Sequence, residues 1–152
     1  KADGTAVVGT SVGNHEAVVH TANGHATTNN KIRRFSTVMT NVGTAITYAD
    51  SAADGASFTI NVTGFYSIQY TDGGPTGARW GISRNSAELT TGIESIAIAT
   101  RLSFARTAAS ENSPACRTLL LTAADVIRPH TDGFPDGASN ITFFSIAKVG
   151  NT

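Results

Sequence analysis

Apolar and polar residues alternate along most of this chain. The clearest stretch runs through residues 56–72, where apolar side chains occupy every second position on both sides of Gly64. A period of two places those side chains on one face of a β-strand. The corner at Gly64 is too short for a helical crossover, so the two strands pair antiparallel or pass from one sheet to the next.

The same texture continues from Ile32 to Val149. Residues 93–109 are rich in alanine, but their large apolar side chains fall on even positions, which predicts one long strand rather than a helix. Pro129 lacks a backbone donor, so the strand over residues 126–130 is expected either to lie at a sheet edge or to end there. About ten short strands with regular turns predict an all-β, antiparallel sandwich or barrel.

The apolar positions of the alternating strands give a predicted core. Phe65, on the opposite strand face, is expected to be exposed. The expected core side chains are Phe58, Ile60, Tyr66, Ile68, Leu119, Leu121 and Phe143.

The first thirty residues are small and polar and show no sustained period. We expect an extended N-terminal arm over residues 1–30 and a single compact domain over residues 31–152. His15, His20 and His25 recur at a spacing of five, which in an extended chain does not converge on a metal ion as helical spacing does. The favoured interpretation is an arm that lies against a neighbouring subunit or links to preceding structure.

Charged residues make up only 14% of the 152 residues, and the net charge is zero. Nucleic-acid binding needs clustered Lys and Arg, so this composition argues against it. The densest basic pair, Arg33 and Arg34, is expected to be a solvated strand start. No apolar run approaches the ~18 residues of a membrane span, so no membrane insertion is expected.

Candidate chemistry is sparse. His130 beside Asp132 is the only histidine of the β region, and a nucleophile would need both a base and a residue that orients it. Asp132 and Asp136 supply too few oxygens for calcium by themselves. We therefore expect no catalysis, no cofactor and no metal. The single cysteine, Cys116, is expected to be a small buried hydrophobe.

Four segments, in order, resemble a known family. The stretch FTINVTGFYSIQYTD, with Gly64 and the spaced Tyr66, Ile68 and Tyr70, is similar to a strand pair of the trimeric jelly rolls of the complement globular-head and tumour-necrosis-factor superfamily. GISRNSAEL, RTLLLTAADVIRPH and FFSIAKV resemble later strands of that family. Ala124 stands where the family usually has glycine. The resemblance covers residues 31–149 and implies a jelly-roll sandwich.

The segments GTAITYADSA and DVIRPHTDG are also similar to jelly-roll domains of bacteriophage tail fibres and other virion proteins. The resemblance thus implies a non-catalytic homotrimer, with the virion surface as the leading location. It leaves three settings open, namely a fibre tip that binds a host-surface glycan or protein, a decoration protein on a capsid shell, and a secreted or cell-surface ligand of the cellular branch.

Two sets of site residues follow from the pattern. The first is a trimer interface, because the chain carries more apolar surface than one core needs; its expected members are Tyr66, Tyr70, Phe144 and Ile146. The second is a set of binding-loop residues around TDGGPTG and TDGFPDG, whose carboxylates and ring suit sugars; its expected members are Asp72, Arg79, His130, Asp132, Phe134 and Asp136. The alternative is that these loops are only turns.

Overall fold

The computed structural model describes residues 17–107, 114–133 and 141–152. These segments contain ten strands: β1 (Ala17–His25), β2 (Arg34–Gly43), β3 (Ile46–Ser51), β4 (Gly55–Ile60), β5 (Gly64–Thr71), β6 (Arg79–Arg84), β7 (Arg101–Arg106), β8 (Ala115–Leu121), β9 (Val126–Thr131) and β10 (Phe143–Gly150). A short 3-10 helix, Ile98–Thr100, precedes β7. No helix in these segments is long and apolar enough to cross a membrane.

The strands form two five-stranded antiparallel sheets. Sheet I has the order β2-β1-β10-β5-β8, and sheet II has the order β3-β4-β9-β6-β7. The corner after β4 carries the chain from sheet II to sheet I, as one of the two predicted arrangements requires. The predicted all-β jelly-roll sandwich is confirmed.

The core fills the space between the sheets, because alternate side chains of both sheets point inward. Phe144 of sheet I stacks on Phe58 of sheet II, with ring centroids 4.4 Å apart. Phe65 is exposed, so the predicted register of β5 is correct. Of the predicted core residues, Leu119 is only partly buried, and Phe143 is exposed on the outer face of sheet I while its neighbour Phe144 is buried.

The strand Ala17–His25 corrects the predicted division at residue 30. It pairs with β10 on one side and β2 on the other, so it is an inner strand of sheet I rather than part of an arm. Its alternation was hidden by small and polar residues such as Thr21, whose hydroxyl is satisfied by the carbonyl of Phe144 at 3.2 Å. Residues 1–16 of the predicted arm lie outside the described residues.

Pro129 does not mark an edge. It lies in β9 at the centre of sheet II, between β4 and β6. Its carbonyl accepts a hydrogen bond from the backbone N–H of Arg33, so its nitrogen faces the same side, where Ile32 and Arg33 form only an isolated bridge with β9. The ladder with β6 therefore needs no donor from Pro129.

The predicted long strand over residues 93–109 is also wrong. Only Arg101–Arg106 is a strand, and residues 86–97 form an irregular strap across the outer face of sheet II. Ile93 and Ile96 bury their side chains beneath this strap. Gly81 of β6 permits the close approach, because a Cβ there would lie 2.9 Å from the Ile93 side chain and 2.1 Å from the carbonyl oxygen of Ser103.

Candidate functional site

The predicted binding residue Asp72 is the centre of a buried polar cluster. Arg33 donates to both of its carboxylate oxygens, at 2.6 and 2.9 Å, and Tyr70 donates at 2.5 Å. The backbone N–H of Gly73 and the hydroxyl of Thr142 complete the set, at 2.8 and 3.2 Å. Asp72 is only 1% exposed, so it holds one end of the sandwich together and does not face a ligand.

Burial and neighbouring charges fix the protonation states of Arg33 and Tyr70 in this cluster. Burial by itself lowers the pKa of Arg33, but the adjoining Tyr70 and Asp72 outweigh it and hold the Arg33 pKa above its ordinary value. Burial, together with the Asp72 charge, raises the pKa of Tyr70 well above its usual range. Arg33 thus stays cationic and Tyr70 stays a hydroxyl donor. The expectation that Arg33 is a solvated strand start is wrong, whereas the neighbouring Arg34 makes a partly exposed ion pair with Asp50 at 3.0 Å.

His130 is fully buried on the strap side of sheet II. Its Nε2 donates to the carbonyl of Thr91 in the strap at 2.8 Å, and its Nδ1 lies 3.2 Å from the hydroxyl of Ser83. Burial lowers the pKa of His130, against the opposing effects of the Thr91 carbonyl and of Glu94, while the charges of Lys31 and Arg128 lower it further. This histidine fixes the strap and has no access to a substrate.

Arg79 and Asp132 are the two predicted binding residues that the fold brings together. The N–H of Arg79 donates to the Asp132 carboxylate at 2.8 Å, and the N–H of Asp132 donates to the Arg79 carbonyl at 2.9 Å. Asp132 is 8% exposed, and the Arg79 guanidinium lies 3.5 Å from Glu94. These contacts close the ends of two loops. Phe134 and Asp136 lie outside the described residues.

The predicted trimer-interface residues are core residues. Tyr66, Tyr70, Phe144 and Ile146 are each 0% exposed in the single chain. They lie on the inner face of sheet I, so they cannot meet another subunit. The tyrosine hydroxyls are satisfied within the chain, because Tyr66 donates to the carbonyl of Val62 at 2.6 Å and Tyr70 donates to Asp72.

The surface that sequence reasoning missed is the outer face of sheet I. The strand registers place one set of side chains side by side across all five strands. We call this set the uncharged face: Val18, His20, Thr40, Val42, Phe65, Ser67, Gln69, Cys116, Thr118, Leu120, Phe143, Ser145 and Ala147. None of these is Asp, Glu, Lys or Arg.

Phe65 and Leu120 face each other across β5 and β8 and are exposed, at 45% and 44%. Cys116, expected to be buried, is exposed on the same face. The sequence contained this signal, because these residues alternate with the buried residues along each strand.

A shallow open groove of about 460 Å³ runs along β5 and β8 on this side. Its lining includes Gln69, Cys116 and Thr118 of the uncharged face, together with Arg117 at the strand edge. Within the described residues, no three His, Cys, Asp or Glu side chains converge as metal ligands would. This side of the molecule is therefore suited to broad contact with another surface.

Comparison with known proteins identifies the architecture. No protein-family model matches the chain, and no curated protein matches it. Solved structures do match. Murine APRIL at pH 8.0 has a TM-score of 0.52 and 14% identity over 87% of this chain and 98% of that one. GITRL from bushbaby has a TM-score of 0.54 and 13% identity over 89% and 95%, and pika GITRL has 0.53 and 14% over 89% and 96%. The chain therefore has the jelly-roll fold of these tumour-necrosis-factor-like ligands.

Proposed function

We propose that this protein is a non-catalytic binding module that assembles as a homotrimer through the uncharged face of sheet I. The observation that carries the proposal is that none of the thirteen described side chains of that face is Asp, Glu, Lys or Arg, although Phe65, Leu120 and Phe143 are exposed there. A soluble surface normally carries interspersed charges, and an area without them that exposes large apolar side chains is typical of a contact between proteins.

The strand edges support the same assembly. β8 is the last strand of sheet I, and its outer backbone groups have no partner strand within the described part of the chain. Exposed edges of this length invite pairing or aggregation unless something covers them. A neighbouring subunit packed against β8 and the uncharged face would cover both.

The proposed number of subunits, three, comes from similarity to other proteins and not from the geometry of this chain. The jelly rolls that FTINVTGFYSIQYTD and its companions resemble are trimeric, and the fold matches APRIL and GITRL. At 13–14% identity these matches establish fold only, so the trimer is part of the proposal.

The buried histidine favours binding over catalysis. His130 spends both ring nitrogens on Ser83 and Thr91, and Asp132 accepts a hydrogen bond from the backbone of Arg79. Neither group is presented to a ligand as a catalytic base must be. Binding through loops on a rigid β scaffold needs no such group.

The proposal covers two biological settings for this module, a cellular one and a bacteriophage one. The structural matches favour a secreted or cell-surface ligand that binds a protein receptor, because APRIL and GITRL are the proteins matched. The bacteriophage setting, as a tail-fibre tip on a host glycan or protein or as a capsid decoration protein at the virion surface, rests on the sequence resemblance alone. In either setting the partner is a surface met by loops, and Phe134 and Asp136 remain predicted members of such a loop.

Sedimentation equilibrium tests the assembly. The wild-type chain is expected to sediment at three times its monomer mass at micromolar concentration. Phe65→Glu places a charge within the uncharged face and should lower the trimer association constant by about 100-fold or more, since an unpaired buried charge costs several kcal/mol.

Val62→Glu is the matched control. Val62 is as exposed as Phe65, at 44%, but lies in the corner between β4 and β5 and off the uncharged face. It should leave the association constant unchanged. A wild-type monomer, or equal effects of the two substitutions, would contradict the proposal.

A further inference from the structure

His20 is the one imidazole on the uncharged face. It is half-buried on β1, beside Thr40 of β2 and Ser145 of β10. Its ring centroid lies 6.3 Å from that of Phe143. Its surroundings on this side are thus hydroxyls and an aromatic ring.

No charged side chain of sheet I faces His20. On this side β2 presents Thr40 and Val42, and β10 presents Phe143, Ser145 and Ala147. Farther out, β5 and β8 present polar and apolar groups together with the thiol of Cys116, and Arg117 lies at the edge of the groove on β8. An imidazolium here has no carboxylate within sheet I to pair with.

We propose that protonation of His20 dissociates the homotrimer, so that the assembly is stable at neutral pH and comes apart at mildly acidic pH. This inference rests on the proposed assembly through the uncharged face. Histidine is the side chain that gains a charge between neutral and mildly acidic pH.

The physical argument is desolvation. In the free subunit a half-buried imidazolium still has water on one side, whereas a neighbouring subunit would replace that water with the apolar and hydroxyl groups that the face presents. A charge without a partner is disfavoured in such a place. Because the assembled form then binds fewer protons, assembly weakens as the pH falls.

Symmetry multiplies the effect. Each of three subunits would bury one His20. If protonation of one His20 lowers the trimer association constant about tenfold, protonation of all three lowers it about 1,000-fold. Acid is expected to act on the assembly before it acts on the fold, because His20 lies on the surface of the sandwich.

The test is sedimentation equilibrium of the full chain at about pH 7.5 and about pH 5.0, where histidine changes charge. We expect the wild-type association constant to fall by about 1,000-fold between the two, and that of His20→Gln to fall by less than about tenfold. His25→Gln is the control, since His25 lies at the end of β1 with its Nδ1 3.2 Å from the Asn23 carbonyl; it should remain acid-sensitive.

Near-UV circular dichroism at the lower pH verifies that the dissociated subunits keep their fold. A wild-type trimer that persists at the lower pH overturns the inference and leaves the proposed assembly standing. Equal acid dissociation of wild type and His20→Gln also overturns it, because the proton then acts elsewhere, for example at His130. A monomer at both pH values overturns the proposed assembly itself.

Discussion

Asp72 is the residue on which one end of the sandwich depends. It accepts hydrogen bonds from Arg33, Tyr70, Gly73 and Thr142. Asp72→Asn keeps the shape but removes the carboxylate charge that faces the buried Arg33 guanidinium. Breaking one side of a buried ion pair costs about 3–5 kcal/mol, so we expect a loss of that size in the free energy of unfolding, measured by urea titration at fixed protein concentration.

Asp50→Asn is the comparison for this prediction. Asp50 pairs with Arg34 at 3.0 Å, but both side chains remain partly exposed, at 14% and 29%. A pair of this kind contributes at most about 1 kcal/mol. Similar losses for the two substitutions would show that the Asp72 cluster is no more than a surface pair.

Ala124 has an unusual backbone conformation for a residue other than glycine. Its φ is +76°, in the left-handed region that glycine adopts readily and alanine does not. It occupies the position where the resembling family usually has glycine. Ala124→Gly is expected to raise the free energy of unfolding by up to about 1 kcal/mol, since the strain relieved exceeds the added freedom of the unfolded chain.

The neighbouring Ala123 is the control for this change, because its φ is not positive. Ala123→Gly should lower the free energy of unfolding by about 0.5–1 kcal/mol through unfolded-state entropy alone. A loss of stability in both variants would contradict the strain argument.

At the scale of the element, β5 shows how alternation sorts a strand into two roles. Ile68 is 1% exposed on its inner face. Ile68→Ala is expected to cost about 2–5 kcal/mol of the free energy of unfolding, as other large-to-small core changes do. Urea unfolding would measure it, with the exposed Val62→Ala expected to stay within about 0.5 kcal/mol. If Ile68→Ala were as mild as Val62→Ala, the strand would be one residue out of register.

Alternation could predict the class of fold and the inward face of β5, because period-two burial is a local property of the chain. It could not predict that Pro129 lies in a central strand, since that depends on which backbone groups the Ile32–Arg33 segment supplies from far along the sequence. It also missed β1, whose side chains are small. It predicted a strand over residues 93–109 because their large apolar side chains fall on even positions, although Ile96 is buried in the strap without strand pairing.

For the whole molecule, the candidate surface was harder to predict than the fold. Sequence reasoning chose Tyr66 and Tyr70 for the interface because large aromatics suggest surplus apolar area. The sandwich of one chain uses both of them. Outward-facing residues such as Phe65 and Leu120 form a continuous surface only when the five strands of sheet I pair. That pairing joins residues far apart in the sequence, so no local pattern predicts it.

The adjacency of β1 and β10 has a practical consequence for engineering. Val18 pairs with Ala147, so Ala17 and Gly150 emerge from the same end of neighbouring strands. A peptide of about five residues, at up to ~3.5 Å each, would join them without disturbing the sheet. New ends could then be opened in the exposed turn between Ser51 and Gly55, which connects two strands of sheet II at its edge. A circularly permuted chain of this kind, made without residues 1–16, would keep every strand neighbour.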